Sequence, residues 1–298
     1  MSELPSAADI EREARRLLRQ ANAYGRLPTP VDDLVAAAKL SEPEQSLLSP
    51  SVLQLAPAHL RDAVARLSGR VRGLLDGRAR EIHLAPELGT EGRRTFVRLH
   101  ETGHHILPWQ RELAYADDDQ TLSPTVRELF ELEASQCAAS LLFQADRFTR
   151  DSADLAIGMG AVIDGSQRHG SSIRAALRRY AETHRAALAG VVLDVSPTTR
   201  EPLRYRRHEV SMSAAYRTRF GDDHWPRVLS VERYGLVAIA AGAVASSGTV
   251  VEGDWTQVDL AGGPAGLRVE ALCTGYDLLV LAWIPIRERT RQRVRLVQ

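Results

Sequence analysis

Near Gly190 the apolar residues of this 298-residue chain change period, and that change bounds the fold more tightly than any other feature. Upstream, apolar residues recur at the three-and-four spacing of helices; downstream they gather in short β-branched or apolar runs separated by Gly, Pro and Asp. The expectation is an α+β protein. Its parts would be an N-terminal mixed domain over 1–145, a helical middle over 146–189 and a sheet-rich region over 190–298.

Within the first part, Ile10, Ala14, Leu17, Leu18 and Ala21 share one face of a helix over Asp9–Tyr24, with acids early and arginines late as the helix dipole favours. Val31–Leu40 and Ala58–Leu67 read as further helices. In VRGLLDGRAREIHL, Val71–Leu75 and Arg80–Leu84 flank Asp76-Gly77, a two-residue hairpin signal. Helices over Gly92–Ile106 and Thr125–Phe143 follow. In the middle region, Ser171–His184 is an amphipathic helix with serine at its start. Val191–Val195, Leu236–Val244, Thr249–Val258, Gly266–Leu272 and Asp277–Ile286 read as strands.

The segment Arg98–Trp109 reads RLHETGHHILPW. On a helix, residues four apart share a face, so His100 and His104 can present two imidazole nitrogens to one ion while Glu101 reaches its bound water. Zinc held by three protein ligands keeps an open position and acidifies that water, so Glu101 reads as the general base of a hydrolase. Composition alone would supply such a match only about 0.02 times in a chain like this. A third ligand is needed, and the helix over Thr125–Phe143 offers Glu128, Glu131 and Glu133.

The block GLLDGRAREIHLAPELGTEGRRTFVRLHETGHHIL, followed by ELEASQCAASLLF, resembles the ImmA/IrrE family of metallo-endopeptidases. In that family a hairpin precedes H-E-x-x-H, and the third zinc ligand opens an E-x-x-[AC]-N segment, here Glu131-Leu132-Glu133-Ala134-Ser135. The resemblance implies a zincin-like N-terminal domain with zinc, or manganese, on His100, His104 and Glu131. It further implies a protein substrate, a helix-turn-helix repressor cleaved under stress or mobile-element control. By analogy with some members, the middle would be helix-turn-helix-like and the C-terminal region GAF-like. Ser135 stands where the family has Asn, and Phe143-Gln144 where it has Met-Pro.

Helical angles also favour Glu131. With Ala134 as reference, Ala138 falls near about 40°, Glu131 near about 60° and Leu142 near about 80°. Glu131 would then be wedged in an apolar arc, justified there by a metal ion. Glu133 falls near about −100°, at the margin of that arc, where water or an arginine could satisfy it, so Glu133→Ala should cost little metal affinity.

Composition narrows the rival functions. Lys+Arg and Asp+Glu balance at 38 each, so no global field draws the molecule to nucleic acid or to an anionic membrane. Cys137 and Cys273 lack a C-x-x-C partner and read as small core residues of a cytoplasmic protein. The N-terminus is acidic and polar, unlike a signal peptide, and no apolar window is long enough to span a membrane. His105 points away from the His100/His104 face and reads as a surface or supporting residue. Asp117–Asp119 read as an acidic solvated loop. Arg174 and Arg178 on the Ser171–His184 helix, and the alternating Arg287, Arg289, Arg291, Arg293 and Arg295, could meet phosphates. In a chain with one lysine, Lys39, arginine is simply abundant, and a solvated face is the plainer reading. Two other functions fit the same residues: an anti-repressor acting by contact alone, and a DNA-binding regulator with a structural metal.

Overall fold

The computed structural model describes residues 4–55, 72–111, 123–222 and 225–285. The expected helix over Ala58–Leu67, the Asp117–Asp119 loop and the Arg287–Arg295 stripe lie outside these residues. The chain forms two compact units, Met1–Ala156 with Gly160–Ala176, and Ile157–Met159 with Leu177–Gln298. The architecture is α+β, and the stretch 146–189 is shared between the two units instead of standing as a body of its own.

The first unit begins with α1 (Ala7–Gln20), which buries Ile10, Ala14, Leu17 and Leu18. Then come α2 (Val31–Ala37), α3 (Pro50–Leu55), the hairpin β1 (Gly73–Asp76) and β2 (Glu81–Leu84), α4 (Glu91–Ile106), α5 (Pro124–Leu142) and α6 (Arg147–Ala153). The hairpin is antiparallel with Asp76 opposite Glu81, so its turn holds the four residues 77–80 and not the two that Asp76-Gly77 suggested. The Asp76 carboxylate accepts from the backbone N–H groups of Arg78 and Ala79, both at 2.9 Å, and so organises the longer turn.

Helix α4 starts where the Thr90 hydroxyl accepts from the Arg93 N–H. It stops at Leu107, which takes an extended conformation because Pro108 follows. Helix α5 is opened by the Ser123 hydroxyl, which accepts from the Val126 N–H, with Pro124 in its first turn. At its other end the buried Gln144 has a positive φ of 51°. The Gln144 amide accepts from the Gly25 N–H and donates to the Arg26 carbonyl and the Thr29 hydroxyl. Gln144 thus holds the helix end.

Helices α7 (Met159–His169) and α8 (Ile173–Thr183) lead into the second unit. Its strands are β3 (Leu188–Leu193), β4 (Thr199–Arg200), β5 (Leu203–Met212), β6 (Val228–Ser230), β7 (Val250–Val258), β8 (Pro264–Cys273) and β9 (Leu278–Trp283). They form one antiparallel seven-stranded sheet in the order β4-β5-β3-β9-β8-β7, with β6 on β5. The central strands β3 and β9 are buried along their whole length. The core contains Tyr216, Phe220, Trp225, Tyr234 and Trp255.

Several elements differ from expectation. Leu236–Val244, read as a strand, lies in helix α10 (Leu236–Ala245), which buries Leu236, Val237, Ala240 and Ala243 at helical spacing. An unbroken apolar run carries no alternation, so its neighbours decide its conformation. Strand β5 has the sequence LRYRRHEVSM; a register shift, in which Val192 pairs with Glu209 but Leu193 with Arg207, breaks its alternation and brings Leu203, Tyr205, Val210 and Met212 to the core side among the charges. Helix α9 (Ala214–Phe220), opened by Ser213, was likewise not expected.

Candidate metal centre

The site is assembled where α4 crosses α5. The crossing is close because Gly103 has no side chain; a Cβ there would stand 3.0 Å from the Ala134 carbonyl oxygen and 3.3 Å from the Cys137 Cβ. At this contact His100, His104 and Glu131 converge, with one donor atom from each lying within 4.8 Å of the others. His100 Nε2 is 3.2 Å from His104 Nε2 and 3.1 Å from Glu131 Oε2, and His104 Nε2 is 3.5 Å from Glu131 Oε1.

The burial argument for Glu131 is corrected by this geometry. Its side chain is 65% exposed, whereas Glu133 is 3% exposed. A wheel drawn on α5 alone misplaced the buried sector, because the covering comes from α1 and from Trp109 and Gln110, which the wheel does not contain. Glu133 accepts from the Ser6 hydroxyl, from the Trp109 indole N–H at 2.8 Å and from the Gln110 amide at 2.7 Å. The expectation that Glu133 could be lost cheaply is therefore withdrawn.

Sequence reasoning missed Gln110 and Trp109 and weighed Glu133 only as a ligand; together they orient His104. A carboxylate only accepts, so the Gln110 amide nitrogen must face Glu133, and it also donates to the Phe130 carbonyl at 3.2 Å. The amide oxygen is then left facing His104 Nδ1 at 2.7 Å. His104 Nδ1 therefore carries a hydrogen, and Nε2 is the atom turned toward His100 and Glu131. Ser135 Oγ stands 3.3 Å from His100 Nδ1 and offers the matching support there. Nothing in the local pattern of Pro108-Trp109-Gln110 signals this role. For Glu133 the signal was an acid bordering the apolar stripe of Ala134 and Cys137.

Glu101 is buried and lies against β1, where a Cβ on Gly73 would stand 2.6 Å from its Oε1. Burial raises the Glu101 pKa against the opposing pull of His100 and His104. Burial would lower that of His104, but the Glu131 and Glu101 carboxylates outweigh it and the net direction is upward. Hydrogen bonds from His100 and His104 hold the Glu131 carboxyl well below the usual carboxylate range. His105 faces elsewhere, and burial, then the charges of Arg111 and Arg80, lower its pKa. The arrangement supplies two nitrogens and a carboxylate that could hold a metal ion, with a buried carboxylate of raised basicity beside them.

The remaining candidates are apart from this cluster. Arg178 donates to Glu209, and Arg174 has interactions of its own. Cys137 and Cys273 are free and buried. Burial pushes the Cys137 thiol up to about 12, as suits a core residue. No helix among the described residues is long and apolar enough to cross a membrane.

No family model and no curated protein matches the sequence. Among solved structures the chain is similar to a Mycobacterium tuberculosis transcriptional regulator, at 13% identity and a TM-score of 0.56, over 93% of this chain and 76% of that one. At that identity the likeness is one of fold alone.

Proposed function

We propose that this chain is a metal-dependent endopeptidase of the ImmA/IrrE type, with a zincin-like N-terminal domain and a GAF-like regulatory C-terminal domain. The observation that carries the reading is the spacing of the donor atoms, 3.1, 3.2 and 3.5 Å apart. Donors around a four-coordinate zinc ion with bonds of about 2.0–2.1 Å stand about 3.3 Å from one another. His100, His104 and Glu131 would hold the ion, and manganese suits the same ligands.

A zinc ion held there would polarise the substrate carbonyl and bring the pKa of its water to about 7. The chain's own residues do the rest. Glu101 accepts the water's proton on a carboxylate oxygen during attack and returns it to the departing amine nitrogen. Its burial against Gly73 keeps the carboxylate poorly solvated and therefore basic. Gln110 and Ser135 keep the Nε2 lone pairs of both histidines directed at one point. The substrate in this reading is a cytoplasmic helix-turn-helix repressor, and the likeness to a transcriptional regulator suits a regulatory setting.

Glu101→Gln tests the reading, since Gln keeps the shape but cannot take the proton. Metal content should stay at the wild-type level while cleavage of a candidate repressor falls at least about a hundredfold. Cleavage at the wild-type rate by the variant would remove Glu101 from the mechanism. Release of the repressor from its operator with no cleavage by either protein would favour the contact-only anti-repressor.

A further inference from the structure

Behind the motif helix the first unit contains a second concavity, a cavity of about 400 Å³ that no part of the peptidase reading uses. Leu17 and Ile106 supply apolar wall, and the charged lining comes from Arg16, Lys39, Arg80 and Arg111. Arg16 is partly neutralised by Glu13 at 2.7 Å. Among the described residues no carboxylate forms an ion pair with Lys39, Arg80 or Arg111. In a chain whose charges balance at 38 and 38, three cations around one cavity with no ion pair among the described residues are a local concentration.

A structural explanation must be weighed first. The cavity is bordered by the C-terminal ends of α1, α2 and α4, whose dipoles favour positive charge. Each helix end carries only about half a negative charge, so three ends offset about one and a half cations and leave the rest. The backbone also holds two of these residues in a rarely occupied conformation. Lys39 has φ 59° and Arg80 has φ 60°, and both are tied in place, Lys39 N–H to the Ala36 carbonyl at 2.9 Å and the Arg80 carbonyl to Ser41 N–H at 3.0 Å. Left-handed conformations at non-glycine residues are disfavoured by about 1–2 kcal/mol. Both have a local cause, since Lys39 closes α2 in a cap where Leu40 N–H also reaches the Val35 carbonyl at 3.1 Å, and Arg80 ends the hairpin turn; both side chains line the cavity.

We infer that this cavity binds a small phosphorylated ligand carrying at least two phosphate groups. Its volume suits a metabolite-sized molecule. Arginine forks and a lysine ammonium match phosphate oxygens, and a pyrophosphoryl group concentrates the several negative charges that the three cations require. A carboxylate ligand of the same volume would bring fewer. The inference is independent of the metal centre and of any peptidase activity.

The test is calorimetric titration of the full-length protein with inorganic triphosphate at about 50 mM salt. We expect saturable binding that weakens at least about tenfold in Lys39→Ala/Arg80→Ala and in Arg111→Ala. Alanine keeps the Cβ at the two left-handed positions, so the double variant adds no backbone strain. Arg227→Ala, at an exposed arginine of the second unit, should bind as wild type does. His100→Ala run in parallel excludes removal of a bound metal by the triphosphate; heat that depended on His100 and not on Lys39 would overturn the inference. So would undetectable binding, or binding that appears only in Asp117→Asn/Asp118→Asn/Asp119→Asn, since the chain's own acidic segment would then be the occupant. A duplex oligonucleotide that bound more tightly than triphosphate through the same residues would also overturn it.

Discussion

At the scale of single residues, the least expected feature is how strongly the site depends on groups that are not themselves donors. Glu133, buried and accepting from three side chains, fixes the Gln110 amide, and the amide fixes the hydrogen on His104 Nδ1. Removing Gln110 should free the imidazole to rotate and to exchange tautomers. Supporting groups of this kind change metal affinity by about 10–100-fold, and Gln110→Ala should weaken zinc binding by that amount in a competitive chelator titration. Nitrogen NMR of the metal-free protein should show His104 changing from a dominant Nδ1–H form to a mixture. Unchanged affinity together with an unchanged tautomer would show that Gln110 merely fills space. The sequence pattern made the donors legible because H-E-x-x-H is a local spacing. The orienting chain was not legible, since Ser6, Trp109, Gln110 and Glu133 meet only once the helices pack.

At the scale of elements, packing decided the outcomes that periodicity left open. Leu236–Ala245 could be helix or strand by composition, and a register shift broke the alternation of β5. Helix α7 ends in a residue whose role packing also sets. His169 lies buried against Phe143 and Phe148, with Nδ1 3.3 Å from the Leu142 carbonyl at the end of α5. Burial lowers its pKa, so the folded protein binds its proton less readily than the unfolded chain. The stability this contributes is fully present above the ordinary histidine value of about 6.5 and is lost as pH falls through the folded value. Thermal midpoints measured from pH 7.5 down to about 5 should fall more steeply for the wild type than for His169→Gln, by no more than the equivalent of one proton. Parallel curves would assign the acid sensitivity to other groups.

At the scale of the whole molecule, every proposed metal donor and every group that orients one belongs to the first unit. The sheet-rich region was expected to begin at Gly190, but Gly190 lies inside β3, paired with Ser211 on one side and Leu281 on the other. The first unit closes at Ala176. A fragment ending at Ser172, just before α8 begins, should unfold cooperatively and bind zinc with the stoichiometry of the full chain, as judged by circular dichroism and metal titration. If it is unfolded, or folds without its metal, the second unit contributes to the site and the reading of it as a regulatory attachment fails.

What the sequence determined alone is whatever depends on near neighbours along the chain. It contains the class of fold, the helices whose apolar faces repeat regularly, the hairpin before the motif, and the pairing of His100, Glu101 and His104 on one turn. Glu131 was named by its match to an E-x-x-[AC]-N segment, and the second reason given for it, burial, was wrong. Tertiary structure alone decided that Glu131 stays exposed while Glu133 is enclosed, that Gly103 admits α5 to the motif helix, and that Lys39, Arg80 and Arg111 surround one cavity. The physical reason is common to all three. Burial and electrostatic environment depend on what other segments bring to a residue, and a periodicity records only which residues share a face, not what that face will meet.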